Sequence, residues 1–174
     1  MAAPSSKPIR VLFICHANLV RSPLAAGILR HLVAERGLGD RFMIDSAGIQ
    51  AREGMAPDPG SVAVAAKHGI KLAGRARQMT RVDLYDHDHV LVADRQVAAQ
   101  IRRLIGGSVF GPIAGSAARV RLIASLADPR AEDDELDVPD PMRGGPEGYL
   151  RVYHQLHRAC TALLAELVPG RSST

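Results

Sequence analysis

The amino-acid sequence predicts a single three-layer α/β domain, in which a four-stranded parallel sheet is flanked by helices. Short apolar runs rich in β-forming residues alternate with segments whose apolar residues recur every three or four positions. The 174 residues are 47% hydrophobic, which is enough to build one core without disulfides or metals. Because ligands of such sheets bind beyond the carboxyl ends of the strands, the loop after the first strand is the first candidate for a functional site.

The first half of the chain is predicted to hold two strands and two helices. Ile9–Cys15 forms the first strand, and apolar residues at helical spacing from Leu24 onward form the helix that follows. Residues 42–45 form a second strand that ends at a Ser-Ala-Gly turn. Residues 57–67 form a helix that is capped near Gly69.

The second half is predicted to add two strands and two helices. Residues 89–93 form a buried strand, residues 97–105 the helix after it, and residues 120–123 a fourth short strand. The last helix has the clearest pattern, because apolar residues from Tyr149 to Leu167 recur at spacings of three and four. The Gly/Ala-rich connection from Gly106 to Ala118 and an acidic connection over 128–146 are long enough to suggest function.

Composition and the two ends of the sequence indicate the domain bounds, the classes of partner and the cellular compartment. We expect one domain over 9–168, a flexible tail at 1–8 and another at 169–174. The 22 basic residues exceed the 18 acidic ones, but the arginines are scattered without interleaved aromatics, so we expect no nucleic-acid partner. The polar start and the short apolar run after it resemble neither a signal peptide nor a membrane span, which predicts a cytoplasmic protein with no membrane partner. We expect a monomer or a weak homodimer.

The loop of residues 15–23, Cys-His-Ala-Asn-Leu-Val-Arg-Ser-Pro, is predicted to run from a strand end into a helix start. Backbone N–H groups in such a loop converge on one point, where the helix dipole favours both a bound phosphate and a thiolate. Cys15 is therefore the candidate nucleophile, and Arg21, whose planar fork can grip two oxygens, is the candidate phosphate clamp. Ser22 could donate its hydroxyl to the sulfur. The phosphate-binding residues are expected to be His16, Ala17, Asn18, Leu19, Val20, Arg21 and Ser22.

A structural explanation competes with this one. A lone cysteine at a strand end is more often a buried core residue, and a lone arginine on a helix is more often a surface residue. The complete string of strand, Cys15, five residues, Arg21-Ser22-Pro23 and helix favours the functional explanation, because the motif stands in the structural context that it needs.

With this motif in its first strand-to-helix loop, the chain resembles the low-molecular-weight protein tyrosine phosphatase family over nearly its whole length. The resemblance implies a phosphomonoester hydrolase that forms a cysteinyl-phosphate and needs no metal or cofactor, with a phosphotyrosine protein or a small phosphomonoester as its substrate. Four further segments match in order and spacing: Asp-Ser-Ala-Gly at 45–48, Gly-Arg-Ala-Arg-Gln at 74–78, Val-Ala-Asp at 92–94 and Asp-Val-Pro-Asp-Pro at 137–141.

The resemblance also assigns roles to residues outside the loop. Asp140 takes the place of the family's general acid, which protonates the leaving oxygen and then activates the water that hydrolyses the cysteinyl-phosphate. Asn18 and Ser46 take the places of supporting residues that hold the shape of the loop, together with Ser22.

The expected substrate wall departs from the family pattern. Met142 and Arg143 follow Asp-Pro where a tyrosine is usual, and Arg52 lies where an aromatic is often found. Leu19 still suits an apolar slot, but the chain has no Trp and only three Tyr and three Phe residues. Phosphotyrosine is the expected substrate, and a small phosphorylated metabolite is the alternative. Phosphoarginine is a weaker option, because Leu19 is bulky and apolar.

Two departures lie within the loop, where Ala17 replaces a usual glycine and Val20 replaces the second cysteine of many members. Three rival functions are disfavoured. The segment 86–89, Asp-His-Asp-His, is more typical of a polar turn than of a metal site. Arsenate reduction needs relay cysteines, whereas Cys160 is predicted to pack in the core. A non-catalytic phosphate-binding module would keep Arg21 without Cys15 or Asp140.

Overall fold

The computed structural model describes residues 7–106, 111–112, 118–132 and 135–169, in which five strands form one sheet. The strands are β1 (Ile9–Cys15), β2 (Phe42–Gly48), β3 (His89–Val92), β4 (Gly111–Pro112) and β5 (Arg119–Leu122). Their order across the sheet is β2-β1-β3-β5-β4. The first four in this order run parallel, and β4 pairs antiparallel with β5. The predicted four-stranded parallel sheet is confirmed, with β4 as an addition at its edge.

The described residues contain five α-helices, of which the last follows the final strand. They are α1 (Arg21–Glu35), α2 (Pro59–Lys67), α3 (Asp83–Asp86), α4 (Arg95–Ile105) and α5 (Gly145–Leu167). The sequence misplaced the starts of α2 and α4 by two residues, because side-chain caps decide them. Asp58 caps α2 by accepting from the Gly60 and Ser61 amides, and Asp94 caps α4 by accepting from the Val97 amide.

The sequence predicted no element where the one-turn helix α3 lies. The helix ends at Asp86, the first residue of the Asp-His-Asp-His segment. Asp83 begins it and accepts from the Thr80 amide at 2.7 Å and from the Thr80 hydroxyl at 3.2 Å. A single turn of helix has too few apolar residues for its period to be visible in the sequence.

Apolar side chains cover both faces of the sheet. Val11, Phe13 and Cys15 point into a cluster formed with α1 and α5, while Leu12 and Ile14 point into a second cluster formed with α3 and α4. This alternation along β1 is what a strand buried on both faces requires. The two clusters fix the strands in parallel register, so their carboxyl ends meet at one edge of the sheet.

Some of the predicted segments lie outside the described residues. These are most of the Gly106 to Ala118 connection, residues 1–6 of the first tail and residues 170–174 of the second. No helix in the described part of the chain is long and apolar enough to cross a bilayer.

Candidate active site

The loop between β1 and α1 turns its carbonyl groups toward neighbouring segments. The Cys15 carbonyl accepts from the Ile49 amide at 3.0 Å, the His16 carbonyl accepts from the Gln50 amide at 2.8 Å, and the Leu19 carbonyl accepts from the Asp58 amide at 2.9 Å. Since the carbonyls are bonded outward, the loop amides are left for an anion, next to the unpaired N–H groups of the first turn of α1.

Cys15 lies at the last position of β1 and is 3% exposed, so only a group that enters the loop can reach its sulfur. The Cys15 Sγ and Ser22 Oγ atoms are 3.0 Å apart. Ser22 Oγ accepts from Asn18 Nδ2 at 2.9 Å and lies 3.2 Å from the Ala47 carbonyl. The Ser22 hydroxyl has one proton, which it can donate to the sulfur or to the Ala47 carbonyl. When Cys15 is a thiolate it has no proton, so only Ser22 can be the donor in this contact.

Asn18 connects the loop to two neighbouring segments. Its amide nitrogen also donates to Ser46 Oγ at 2.9 Å, and its amide oxygen accepts from the Arg77 backbone N–H at 2.9 Å. Asn18 has a φ of 57°, the left-handed conformation that asparagine tolerates better than most residues. Ala17 does not have a positive φ, which explains why the loop accepts its Cβ in place of the glycine usual in the family.

The side chain of Arg77 fixes the segment that supports Asn18. It donates to Asp45 at 2.8 and 3.0 Å and to Asp83 at 2.9 and 3.0 Å. Burial alone would raise the pKa of Asp83, but the hydrogen bonds from Arg77 and Thr80 outweigh it and lower that pKa. The arginine therefore joins β2 and α3 beneath the loop.

Gly48 is the residue of β2 opposite Cys15 in the register of the sheet. A Cβ at this position would lie 2.8 Å from backbone atoms of His16, Ala17 and Asn18. The predicted Ser-Ala-Gly turn is therefore wrong, since these residues are the last three of β2, and the glycine is required so that β2 can contact the backbone of the loop.

Arg21 is the first residue of α1 and is 6% exposed. Its Nη1 atom donates to Asp94 Oδ2 at 2.6 Å and to the Val138 carbonyl at 2.9 Å. The other nitrogens of the guanidinium make no hydrogen bond to the residues that the structure describes. One side of the group is thus fixed by the protein while the other can bind oxygens of an anion.

Arg21 and Asp140 line the same cleft, which has a volume of about 460 Å³. Asp140 is exposed, and its Oδ1 atom accepts from the Met142 amide at 3.1 Å. The cleft is lined by His16, Arg21, Asp94, Gln96, Val97, Asp137, Val138, Pro139 and Asp140. The structure therefore brings the expected phosphate clamp and the expected acid to one opening.

The expected substrate wall is not gathered in this way. Leu19 is half-buried, Arg52 and Arg143 are exposed, and 58% of Met142 is exposed. None of the four lines the cleft that holds Arg21 and Asp140. The side of the site that would contact a tyrosine ring is thus open in the described structure.

Sequence reasoning did not assign Asp94, which lines the cleft, or Arg95 beside it. Asp94 holds Arg21, and Arg95 donates to Asp137 through its backbone N–H at 2.8 Å. One signal for Asp94 was available in the sequence. It follows a buried strand and precedes a helix, and residues at such positions often cap the helix or belong to a site. Neither pairing with its distant partner is visible in the sequence.

Cys160 is fully buried on α5, and its Sγ lies 3.6 Å from the Ala25 carbonyl. Burial raises the pKa of its thiol, so this cysteine is a poor nucleophile. The predicted core role is confirmed. The described residues contain no group of three or more His, Cys, Asp or Glu side chains that could hold a metal ion.

Comparison with known proteins gives one consistent result. The family model of the low molecular weight phosphotyrosine protein phosphatases matches residues 10–172. A low molecular weight protein-tyrosine-phosphatase of Streptomyces coelicolor is 38% identical over 168 residues, covering 94% of this chain and 98% of that relative.

Two solved structures are similar along their whole length. YfkJ of Bacillus subtilis superposes with a TM-score of 0.80 at 29% identity, covering 93% of this chain and 96% of YfkJ. The drosophila arginine phosphatase DARP superposes with a TM-score of 0.79 at 25% identity, covering 95% of this chain and 100% of DARP.

Proposed function

Because the chain belongs to the low molecular weight phosphotyrosine protein phosphatase family, we propose that it hydrolyses phosphomonoesters at Cys15, with Arg21 as clamp and Asp140 as acid and base. Cysteine-based phosphatase chemistry is general in this family. The observation that carries the residue assignment is the contact of Cys15 Sγ with Ser22 Oγ in a loop whose Arg21 shares a cleft with Asp140.

The first step transfers the phosphoryl group to the enzyme. The Cys15 thiolate attacks phosphorus, the bond from phosphorus to the ester oxygen breaks, and Asp140 gives its proton to the departing oxygen. Arg21 stabilises the charge on the equatorial oxygens through the side of its guanidinium that faces away from Asp94. The products are the free phenol or alcohol and a cysteinyl-phosphate.

The second step regenerates the enzyme. The Asp140 carboxylate takes a proton from a water molecule, the water oxygen attacks phosphorus, and the bond from sulfur to phosphorus breaks. Ser22 donates its hydroxyl proton in a hydrogen bond to the thiolate as it departs, which stabilises the negative charge on sulfur. Inorganic phosphate then leaves.

Replacing the nucleophile tests the reaction. We expect Cys15→Ser to abolish turnover of 4-nitrophenyl phosphate, while calorimetry still detects binding of inorganic phosphate, because the loop amides and Arg21 remain. Undiminished hydrolysis by this variant would exclude the mechanism.

Replacing the acid tests the role of Asp140. We expect Asp140→Ala to lower kcat/KM for phenyl phosphate by about 100-fold, since a positioned acid contributes about 10²–10⁴-fold and phenolate departs poorly without a proton. The loss for 4-nitrophenyl phosphate should be several times smaller, because that leaving group needs little protonation. Equal losses for the two esters would remove Asp140 from this role.

Phosphotyrosine in a protein is the proposed substrate, supported by the relative from Streptomyces coelicolor, which is named a protein-tyrosine-phosphatase. The exposed Arg52, Met142 and Arg143 favour a small phosphomonoester as second candidate, because no Tyr, Phe or Trp is among the described residues that line the cleft. The neighbour named an arginine phosphatase adds phosphoarginine to the substrates that must be compared. Two buried free thiols suit a reducing compartment, which supports a place in the cytoplasm.

A parallel turnover screen separates these substrates. Phosphotyrosine peptides, phosphoarginine peptides and small phosphomonoesters are compared by kcat/KM at one pH. We expect phosphotyrosine peptides to be turned over fastest. A preference above tenfold for either other class, about 1.4 kcal/mol of transition-state stabilisation, would replace the proposed substrate.

A further inference from the structure

The segment that carries Asp140 is fixed to the end of β3 and to α1 through one buried residue. The Val138 amide donates to the Ala93 carbonyl at 2.8 Å, and the Val138 carbonyl accepts from Arg21 Nη1 at 2.9 Å. Val138 is fully buried, so both bonds are shielded from water. Gln155 Nε2 also donates to the Asp137 carbonyl at 3.4 Å. These bonds hold the backbone of the segment but do not fix the Asp137 side chain.

A further contact is made by the Asp137 side chain. Its carboxylate accepts from the Arg95 backbone N–H at 2.8 Å, from Arg95 Nε at 3.3 Å to both oxygens, and from Arg95 Nη2 at 3.1 Å. The pair is half-exposed, with 45% of the arginine side chain and 35% of the aspartate side chain open to solvent. Because Asp137 and Asp140 line the same cleft, a rotation of the segment about Val138 would displace both carboxylates.

Arg95 also directly follows Asp94, the residue that holds the phosphate clamp. The first turn of α4 thus contacts Arg21 through one residue and the acid segment through the next. We propose that Arg95 is a positioning residue for catalysis, whose ion pair with Asp137 sets the place of the Asp140 carboxyl relative to a phosphate held by Arg21. This inference rests on the proposed role of Asp140.

The expected consequence follows from what a general acid requires. The carboxyl must lie within hydrogen-bond reach of the departing oxygen, and a displacement of about 1 Å can cost up to about 100-fold in rate. A half-exposed ion pair adds little to folding stability, so its loss should change catalysis without changing the thermal midpoint. A poor leaving group should be affected far more than a good one.

The experiment compares Arg95→Ala and Arg95→Lys with the parent, using kcat/KM for phenyl phosphate and for 4-nitrophenyl phosphate. We expect Arg95→Ala to lose about tenfold with phenyl phosphate and less than about twofold with 4-nitrophenyl phosphate. Arg95→Lys keeps the charge and should recover at least about threefold of that loss.

The matched control is Glu166→Ala, which breaks the Arg121–Glu166 pair between β5 and the end of α5, another pair with partly exposed side chains. It should leave both rates unchanged. A loss with phenyl phosphate as large as that of Arg95→Ala would overturn the proposal, because any surface pair would then have the same effect.

A double-mutant cycle decides whether Arg95 acts through the acid. In an Asp140→Ala background, Arg95→Ala should cost nothing further with phenyl phosphate, since there is no carboxyl left to position. The same tenfold loss in that background would overturn the proposal, as would equal losses for the two esters in the single variant.

The cycle also separates this inference from the proposed function. If Asp140→Ala itself lowers both esters equally, the acid role fails and the positioning role fails with it. If Asp140→Ala discriminates between the esters and Arg95→Ala does not, only the positioning role fails.

Discussion

The hydroxyl proton of Ser22 has two possible acceptors, the sulfur of Cys15 and the Ala47 carbonyl. Ser22 Oγ accepts from Asn18, and its own proton can be donated to the Cys15 sulfur or to the Ala47 carbonyl. When the sulfur is a thiolate, it is the better acceptor, because hydrogen bonds to charged groups contribute about 1.5–3 kcal/mol. The loop therefore supplies the thiolate with a donor that needs no rearrangement of heavy atoms.

Removing this hydroxyl should slow the chemistry. We expect Ser22→Ala to lower kcat for 4-nitrophenyl phosphate by about 10- to 100-fold, the rate equivalent of one lost hydrogen bond to a charged sulfur. Ser46→Ala is the matched control, because Ser46 is the other acceptor of the Asn18 amide but does not contact the sulfur. Steady-state rates of the two variants check the idea, and similar losses in both would attribute the effect to Asn18 instead.

The carboxyl end of β2 determines the shape of the phosphate loop by contact between backbones. Gly48 lies beside Cys15 in the sheet and leaves no room for a Cβ against His16, Ala17 or Asn18. The Gly48 amide donates to the Arg77 carbonyl at 3.0 Å, so the glycine cannot move away without breaking the sheet edge. A substitution here would therefore move the loop.

Gly48→Ala in β2 should weaken phosphate binding by the neighbouring loop. We expect the Kd for inorganic phosphate to rise at least about tenfold, because the loop amides no longer converge, and the free energy of unfolding to fall by about 1–3 kcal/mol from overpacking. Gly39→Ala is the control, since Gly39 is exposed and a Cβ there meets nothing within 4 Å. Calorimetry and urea unfolding give both numbers, and unchanged phosphate affinity in Gly48→Ala would contradict the steric argument.

At the scale of the molecule, the two ends of the parallel sheet place ionisable side chains in different surroundings. The carboxyl end holds the proposed site, while His89 lies at the amino end of β3, beside Arg119 of β5 in the register of the sheet. Burial lowers the pKa of His89, the positive charges of Arg121 and Arg119 lower it further, and Asp88 and Glu166 oppose them. The folded protein therefore resists protonation of a histidine that the unfolded chain accepts readily.

Because of His89, we expect the free energy of unfolding to decrease in mild acid. Because the pKa of His89 is lower in the folded state, the unfolded chain binds the proton first as the pH falls through about 6.5, and the free energy of unfolding decreases below that pH. His89→Gln cannot take up a proton, so its stability should fall less between pH 7.5 and pH 5.5. Urea unfolding of the parent and the variant at both pH values checks this, and parallel decreases would assign the effect to other groups.

The sequence by itself determined the parts of the protein that depend on neighbours along the chain. Cys15, Arg21 and Ser22 lie within one strand-to-helix connection, so their grouping follows from local structure alone. The alternation of buried residues along β1 and the apolar stripe of α5 similarly predicted the layers of the fold, because each reflects a regular local period.

Only the tertiary structure decided which distant side chains complete the site. Arg21 meets Asp94 across 73 residues and the Val138 carbonyl across 117, and Arg95 meets Asp137 across 42. No periodic pattern in the sequence predicts such pairings, because they form where parallel strands that are far apart in the sequence end at the same edge of the sheet. The substrate wall of Leu19, Arg52, Met142 and Arg143 was predicted from the family resemblance and not from a local period, and the structure places all four residues outside the cleft that holds Arg21 and Asp140.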